Sequence, residues 1–167
     1  SGWIIMYGTT DQTYASNTAV RICRLKVNKT SGLVTPATGT NNFYTQGFYL
    51  QQGSFTAPSG SFYVGGPWGS NQNIFTHAAG TYTHNSGTTV FDPYSNCYNG
   101  TFSIDILNAT SFNDVTFTGS ASCGSTTSIT ITAGDTIDVT HNLLITDGAI
   151  NTCLLYTSPS PRDRGNH

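Results

Sequence analysis

Three histidines are the residues of this chain best suited to bind a metal or to transfer protons: His77, His84 and His141. Imidazole is a common zinc ligand and titrates near neutral pH. His77 and His84 lie in one segment, yet no Asp or Cys stands close to them in sequence to complete a metal shell, and the chain has no CxxC pair. We therefore expect these histidines at turns or on the surface, and we predict no metal and no other cofactor.

Carboxylates and basic side chains form two groups that are separated in the sequence. Polysaccharide-cleaving enzymes gather such groups on one face. The candidate carboxylates are Asp105, Asp114, Asp135 and Asp138. The basic residues, which lie much earlier, are Arg21, Arg24, Lys26 and Lys29. Because the groups are separated and no G-x-S-x-G motif occurs, we predict no enzyme and place both groups at solvated turns and strand edges, where charge blocks strand addition.

Aromatic residues in turn-rich stretches are candidates for carbohydrate binding, because an exposed ring can stack on a sugar. The stretches GGPWGSNQN and FDPYSNCYNG contain Trp68, Tyr94 and Tyr98, and Trp3 lies near another turn-rich stretch. We predict Trp68, Tyr94 and Tyr98 as carbohydrate contacts. The alternative is that these rings cover the ends of an apolar core.

The composition predicts the elements that carry these residues. The chain has 9 Phe, 9 Tyr and 2 Trp but only 8% charged residues, and it contains no Glu. Aromatic residues favour strands, whereas Glu and Lys, which fill helix surfaces, are absent or scarce. We therefore predict an all-β protein. A net charge of −2 with few Lys and Arg argues against nucleic-acid binding, and no apolar run is long enough to predict a membrane span.

A repeat is visible without gaps. The segment QQGSFTAPSGSFYVGG (51–66) aligns with AAGTYTHNSGTTVFDP (78–93) at an offset of 27 residues, with Phe55 opposite Tyr82. Period-two alternation between glycines predicts two short strands joined by a corner, and a fixed period of this length is typical of stacked coils. We predict a right-handed parallel β-helix in which residues 53–64 and 80–91 pair in parallel. An antiparallel β-sandwich with two similar hairpins is the alternative.

The stretches GSFTAPSG, GTYTHNSGTTVFD, FNDVTFTG and GDTIDVTHNLLITDGAINT resemble the β-strand-repeat proteins of bacterial cell surfaces. The resemblance implies a secreted or surface-attached, adhesin-like segment whose partners are surface glycans or other surface proteins. It carries no catalytic residues to transfer. The alternative function is a carbohydrate-binding or carbohydrate-cleaving β-helix.

The C-terminal stretch CLLYTSPSPRD (153–163) differs from the rest of the chain. It is similar to the translation of a transposon-end adapter used in sequencing libraries. We therefore expect residues 1–152 to be a fragment of a repeat solenoid and residues 153–167 to be a non-native tail. The strand at 148–152 would then be an exposed edge, followed by an irregular segment with few core contacts.

Removing the tail also removes Cys153, which leaves three cysteines. Cys97 and Cys123 bracket two predicted strands, and a disulfide between them would add roughly 3 kcal/mol by loop entropy. An extracellular location would permit that bridge. The alternative is two free thiols, and Cys23 has no partner in either case.

Overall fold

All regular structure in the described part of the chain consists of β-strands. The computed structural model describes residues 2–16, 19–66, 72–95, 100–107, 110–118, 120–121 and 127–146, with residues 94–95 and 120–121 described as backbone only. The strands in chain order are β1 (Trp3–Gly8), β2 (Gln12–Tyr14), β3 (Arg24–Pro36), β4 (Phe43–Thr45), β5 (Phe48–Thr56), β6 (Ser61–Val64), β7 (Gln72–His77), β8 (Thr81–Thr83), β9 (Thr88–Phe91), β10 (Tyr94–Ser95), β11 (Gly100–Ile106), β12 (Ser111–Phe117), β13 (Ser120–Ala121), β14 (Thr127–Ile131) and β15 (Asp138–Ile145).

The strands form two main parallel sheets between which the chain alternates. Sheet A has the order β1-β3-β5-β7-β11-β14, with β2 added to β3 and β8 added to β5. Sheet B has the order β15-β12-β9-β6-β4, and β10 pairs with β13 in a small third sheet. Each coil of the chain thus adds one row to sheet A and, from β4 onward, one to sheet B. The fold is a parallel β-solenoid, as predicted, and the antiparallel sandwich is wrong because these pairings are all parallel.

The 27-residue repeat corresponds to two neighbouring coils. Phe55 pairs with Tyr82 in parallel register, and the next strands continue the same offset, with Ser61 beside Thr88. The rings of Phe55 and Tyr82 stack with centroids 6.0 Å apart. The prediction that residues 53–64 and 80–91 lie side by side is therefore confirmed.

Stacked glycines explain why the repeat shows Gly at both ends of its first strand. Gly80 has φ +97°, and a Cβ there would lie 2.1 Å from the carbonyl oxygen of Gly53, directly beneath it. At the next corner, a Cβ on Gly87 would lie 2.3 Å from the oxygen of Pro58. A side chain fits at neither corner, because coils at the roughly 4.8 Å spacing of adjacent strands leave no room for one.

The interior consists of rows of side chains that continue from coil to coil. In sheet A one row runs Leu25, Phe48, Phe75, Ile104, and every member is almost completely buried. Inward residues repeat because a parallel register places the same strand position of successive coils side by side. Sheet B supplies the opposite wall.

Two polar residues predicted at the surface are buried instead. His77 is only 1% exposed and occupies an inward row of sheet A between Leu50 and Ile106. Lys29 is also 1% exposed. Its Nζ donates to the carbonyl oxygen of Thr10 at 2.7 Å and to Oε1 of Gln12 at 3.0 Å, which attaches the first coil to β3. The prediction of solvated positions is wrong for both, because polar groups of the protein replace water as their hydrogen-bond partners.

Arg21 is a second basic residue, after Lys29, that was wrongly placed at a solvated edge. Its guanidinium donates to the carbonyl oxygen of Gly65 at 2.6 Å and forms an ion pair with Asp92. Asp92 in turn accepts a hydrogen bond of 2.6 Å from the hydroxyl of Thr118. Gly65, Asp92 and Thr118 follow neighbouring strands of sheet B, and Arg21 lies one coil further away, so the group connects coils through side chains as well as through the backbone.

Candidate functional site

The outer surface of sheet A carries a cluster of aromatic and basic side chains at the β1 end. Alternation along each strand points Trp3 of β1, Arg24 and Lys26 of β3, and Tyr49 of β5 away from the core. The register places Trp3 beside Arg24 and Lys26 beside Tyr49. We call these four residues the aromatic–cationic face. Two basic residues thus occupy the middle strand, with one aromatic residue on each neighbouring strand.

The four side chains contact one another. The guanidinium carbon of Arg24 lies 5.5 Å from the Trp3 ring centroid, and the ammonium of Lys26 lies 5.0 Å from that of Tyr49. The rings of Trp3 and Tyr49 meet edge to face at 6.3 Å. Cation–π contacts of this kind orient long basic side chains without neutralising their charge.

Gly47 makes room for Arg24 at this site. A Cβ at position 47 would lie only 3.2 Å from Cγ of Arg24, so the arginine stem lies across the glycine. Partial burial lowers the pKa of the Arg24 guanidinium. The group still carries its charge near neutral pH, because the ordinary pKa of arginine lies far above neutrality.

The face remains open to solvent despite these contacts. Trp3 is 40% exposed, and Tyr7, which lies two pleats further along β1, is 72% exposed. Among the residues that the structure describes, neither Arg24 nor Lys26 forms an ion pair. Exposed aromatic groups next to unpaired charge are typical of binding surfaces.

The outer surface of sheet A is different farther from β1. There the outward side chains are small and hydroxylated, such as Thr101 and Ser128, whose hydroxyls are 3.0 Å apart. The one outward carboxylate in this region of the described structure is Asp105. Burial raises its pKa, and the neighbouring carboxylate of Asp135 raises it further. Most of this region is therefore a polar, uncharged surface.

Sheet B presents a second aromatic pair, which is half-buried. Tyr44 of β4 and Tyr63 of β6 are register neighbours, and their rings are parallel with centroids 4.3 Å apart. Partial burial and the phenol of Tyr63 raise the pKa of Tyr44, while the nearby guanidinium of Arg21 opposes them. Since Arg21 is paired with Asp92, this surface lacks the unpaired cations of the aromatic–cationic face.

The predicted carbohydrate contacts and the predicted disulfide fall outside what the structure describes. Trp68 and Tyr98 lie in undescribed segments, and only the backbone of Tyr94 is described. Cys97, Cys123 and the whole tail from residue 147 onward are likewise outside the described ranges. Cys23 is a free thiol.

Sequence reasoning named Trp3 but missed Tyr49 and the clustering of both with Arg24 and Lys26. The coils at this end are shorter than 27 residues: Trp3 pairs with a residue 21 positions later, and Lys26 pairs with one 23 positions later. An alignment at one fixed period cannot bring these residues together. The only available signal was the alternation of inward and outward residues in the segments KVNK and FYLQ, which places Lys26 and Tyr49 on the outside of their strands.

The remaining candidate ligands and catalytic groups are dispersed. Nδ1 of His77 lies 2.6 Å from the hydroxyl of Thr110 inside the core, and Nδ1 of His141 lies 2.7 Å from a carboxylate oxygen of Asp114 at an exposed position. Within the described ranges, no three His, Cys, Asp or Glu side chains are placed to hold a metal ion. The same ranges contain no helix with the length and apolar character needed to cross a bilayer.

Comparison with known proteins does not assign the chain to a family. No family model matches the chain, and no match is found among curated proteins or among solved structures. The candidate site is therefore defined by its own geometry: a parallel β-solenoid with one aromatic–cationic face.

Proposed function

We propose that this chain is a non-enzymatic structural and adhesive segment of an extracellular bacterial surface protein, which attaches to surface glycans through the aromatic–cationic face. The observation that carries the proposal is the exposure of Trp3 beside Tyr49, Arg24 and Lys26 on the outer surface of one sheet. The solenoid supports the structural part, because stacked coils form an extended, repetitive scaffold. The extracellular and bacterial parts are supported by the sequence resemblance.

An exposed aromatic surface with basic side chains beside it suits a sugar chain. The apolar face of a sugar ring stacks on an aromatic ring, and the polar edge of the sugar needs hydrogen-bond donors beside that ring. Trp3 and Tyr49 provide the rings, and Arg24 and Lys26 provide charged donors next to them. The alternative predicted from the sequence, a carbohydrate-binding β-helix, draws support from the same surface.

The test is binding of the full chain to an array of neutral and acidic polysaccharides. We expect Trp3→Ala and Tyr49→Ala each to weaken binding to the recognised glycan about tenfold, because each variant loses a stacking surface. The matched control is Tyr63→Ala, which removes a half-buried, stacked aromatic ring from sheet B and should leave binding unchanged.

Two results would overturn the proposal. One is the absence of binding to every polysaccharide on the array by a chain whose folding has been verified by circular dichroism. The other is an equal loss of binding in Trp3→Ala and Tyr63→Ala, which would place the contact elsewhere.

A further inference from the structure

We infer that the glycan held by the aromatic–cationic face is acidic, a polysaccharide whose sugars carry carboxylate or sulfate groups that contact Arg24 and Lys26. The inference rests on the proposed function and names the ligand class for the same site. It follows from the position of the two charges and from the absence of acidic partners for them among the described residues.

The geometry places both cations where they can contact one ligand strand. Arg24 and Lys26 are alternate residues of β3, so their Cα atoms are roughly 6.6 Å apart on the same surface. Trp3 lies on the strand to one side, and Tyr49 lies on the strand to the other. A sugar stacked on either ring therefore has a cation beside it, and two neighbouring charged sugars can each contact one cation.

The surrounding charges favour an anion at this position. Along the register row from Lys26 through Tyr49 and Thr76, the first carboxylate is Asp105, three strands away. Three strand spacings amount to roughly 14 Å, which exceeds the Debye length of about 8 Å at physiological salt. Asp11, which follows the C-terminal end of β1, accepts a 2.9 Å hydrogen bond from the backbone amide of Leu33.

Other anionic ligands fit less well. Nucleic acids and anionic membranes are recognised by many basic residues, since each phosphate contact contributes only modestly. Here two cations stand on a chain whose net charge is −2. Two aromatic rings combined with two charges instead match a ligand that presents both flat apolar faces and sparse negative groups.

The experiment compares polysaccharides that differ only in charge. Titration calorimetry of the full chain would use polygalacturonate and its fully methyl-esterified form, with dextran sulfate and dextran as a second pair that separates sulfate from carboxylate. We expect the charged member of one pair to bind at least about tenfold more tightly than its neutral partner, with affinity falling as salt is raised.

Charge variants identify the residues responsible. Arg24→Gln combined with Lys26→Gln should abolish the preference for the charged polysaccharide and leave weak binding to the neutral one. The exchange Arg24→Lys with Lys26→Arg keeps both charges and should retain the preference. Unfolding midpoints of both variants show whether the fold is kept.

The outcomes separate this inference from the proposed function. Equal binding of charged and neutral polysaccharides, or an unchanged preference in the double Gln variant, overturns the inference while glycan binding stands. Preferential binding to phosphatidylserine vesicles over every polysaccharide also overturns it. No binding to any polysaccharide overturns the proposed function and the inference together.

Discussion

The guanidinium of Arg21 forms an ion pair with the carboxylate of Asp92, 71 residues further along the chain. Their side chains are 15% and 23% exposed, so the pair is shielded from water on most sides. Because Arg21 also donates to the carbonyl oxygen of Gly65, one side chain connects coils that are distant in sequence. A shielded pair that satisfies other polar groups is expected to contribute more to stability than a surface pair does.

Replacing Arg21 with Met is therefore expected to lower the free energy of unfolding by about 1–3 kcal/mol, because the Gly65 carbonyl loses the guanidinium donor and Asp92 keeps only the hydrogen bond from Thr118. Urea denaturation measures the change. The matched control is His141→Ala, which removes the side-chain contact with the carboxylate of Asp114. Since the His141 side chain is 65% exposed, its loss should cost less than about 1 kcal/mol. Equal costs for both variants would contradict the structural role of Arg21.

The glycine stack gives a second prediction. Gly80→Ala should destabilise far more than Gly134→Ala, although both glycines have nearly the same φ, +97° and +94°. At Gly134 no atom lies within 4 Å of the added Cβ, so only the backbone strain of about 1–2 kcal/mol applies. At Gly80 the Cβ would meet the Gly53 carbonyl oxygen at 2.1 Å, which forces two coils apart. Equal denaturation midpoints for the two variants would show that the coils are not stacked in this way.

Burial of His77 predicts a dependence of stability on pH. Burial lowers the pKa of His77, and the hydrogen bond to the Gly80 carbonyl raises it by less. The unfolded chain therefore binds a proton below about pH 6.5 that the folded chain resists, so stability is retained above that pH and falls as the pH decreases. From pH 6.5 to 5.5 the loss from this group is at most about 1.4 kcal/mol.

Comparing wild type with His77→Gln isolates this contribution. Between about pH 7.5 and 5.5, the interval in which histidine titrates, the free energy of unfolding of the variant should depend less on pH than that of the wild type. Thr101→Ala, which removes no ionisable group, should keep the wild-type dependence. The same pH profile for wild type and His77→Gln would mean that His77 is not buried in its neutral form.

Phe55 gives a prediction about the core. Its ring stacks with those of Tyr14 and Tyr82, at 5.3 and 6.0 Å, and lies 4.6 Å from that of Phe48. Phe55→Ala should cost about 3–5 kcal/mol, because the cavity opens in the middle of three coils. Phe55→Leu keeps most of the volume and should cost clearly less. If Phe55→Ala cost less than about 1 kcal/mol, as substitutions on the surface do, the stacked interior would be contradicted.

The regular part of this fold could be predicted because two neighbouring coils have the same length. The 27-residue offset pairs β5 with β8 and β6 with β9, and it places Phe55 beside Tyr82 without any structural information. Equal spacing converts sequence alignment directly into spatial register. The glycine corners were visible for the same reason.

The candidate site and the buried polar residues could not be found in this way. Trp3, Arg24 and Tyr49 come together through coils of unequal length, so no single period aligns them. The partners of buried His77 and Lys29 lie 33 and 19 residues away, and neither distance follows from the repeat. Whether a polar side chain is satisfied inside a solenoid depends on what the next coil presents, which a local pattern does not contain.

The parallel stacking of coils also determines how this protein responds to force. A coil of 27 residues adds only about 4.8 Å along the solenoid axis, but the same residues span roughly 90 Å when pulled straight. Tension along the axis acts on one row of interstrand hydrogen bonds at a time, so the coils should peel off singly from an end. A released coil is therefore nearly twenty times longer than the rise it contributes when folded, which is roughly the ratio of those two lengths. The molecule would thus dissipate a sudden load in steps while the remaining coils stay folded.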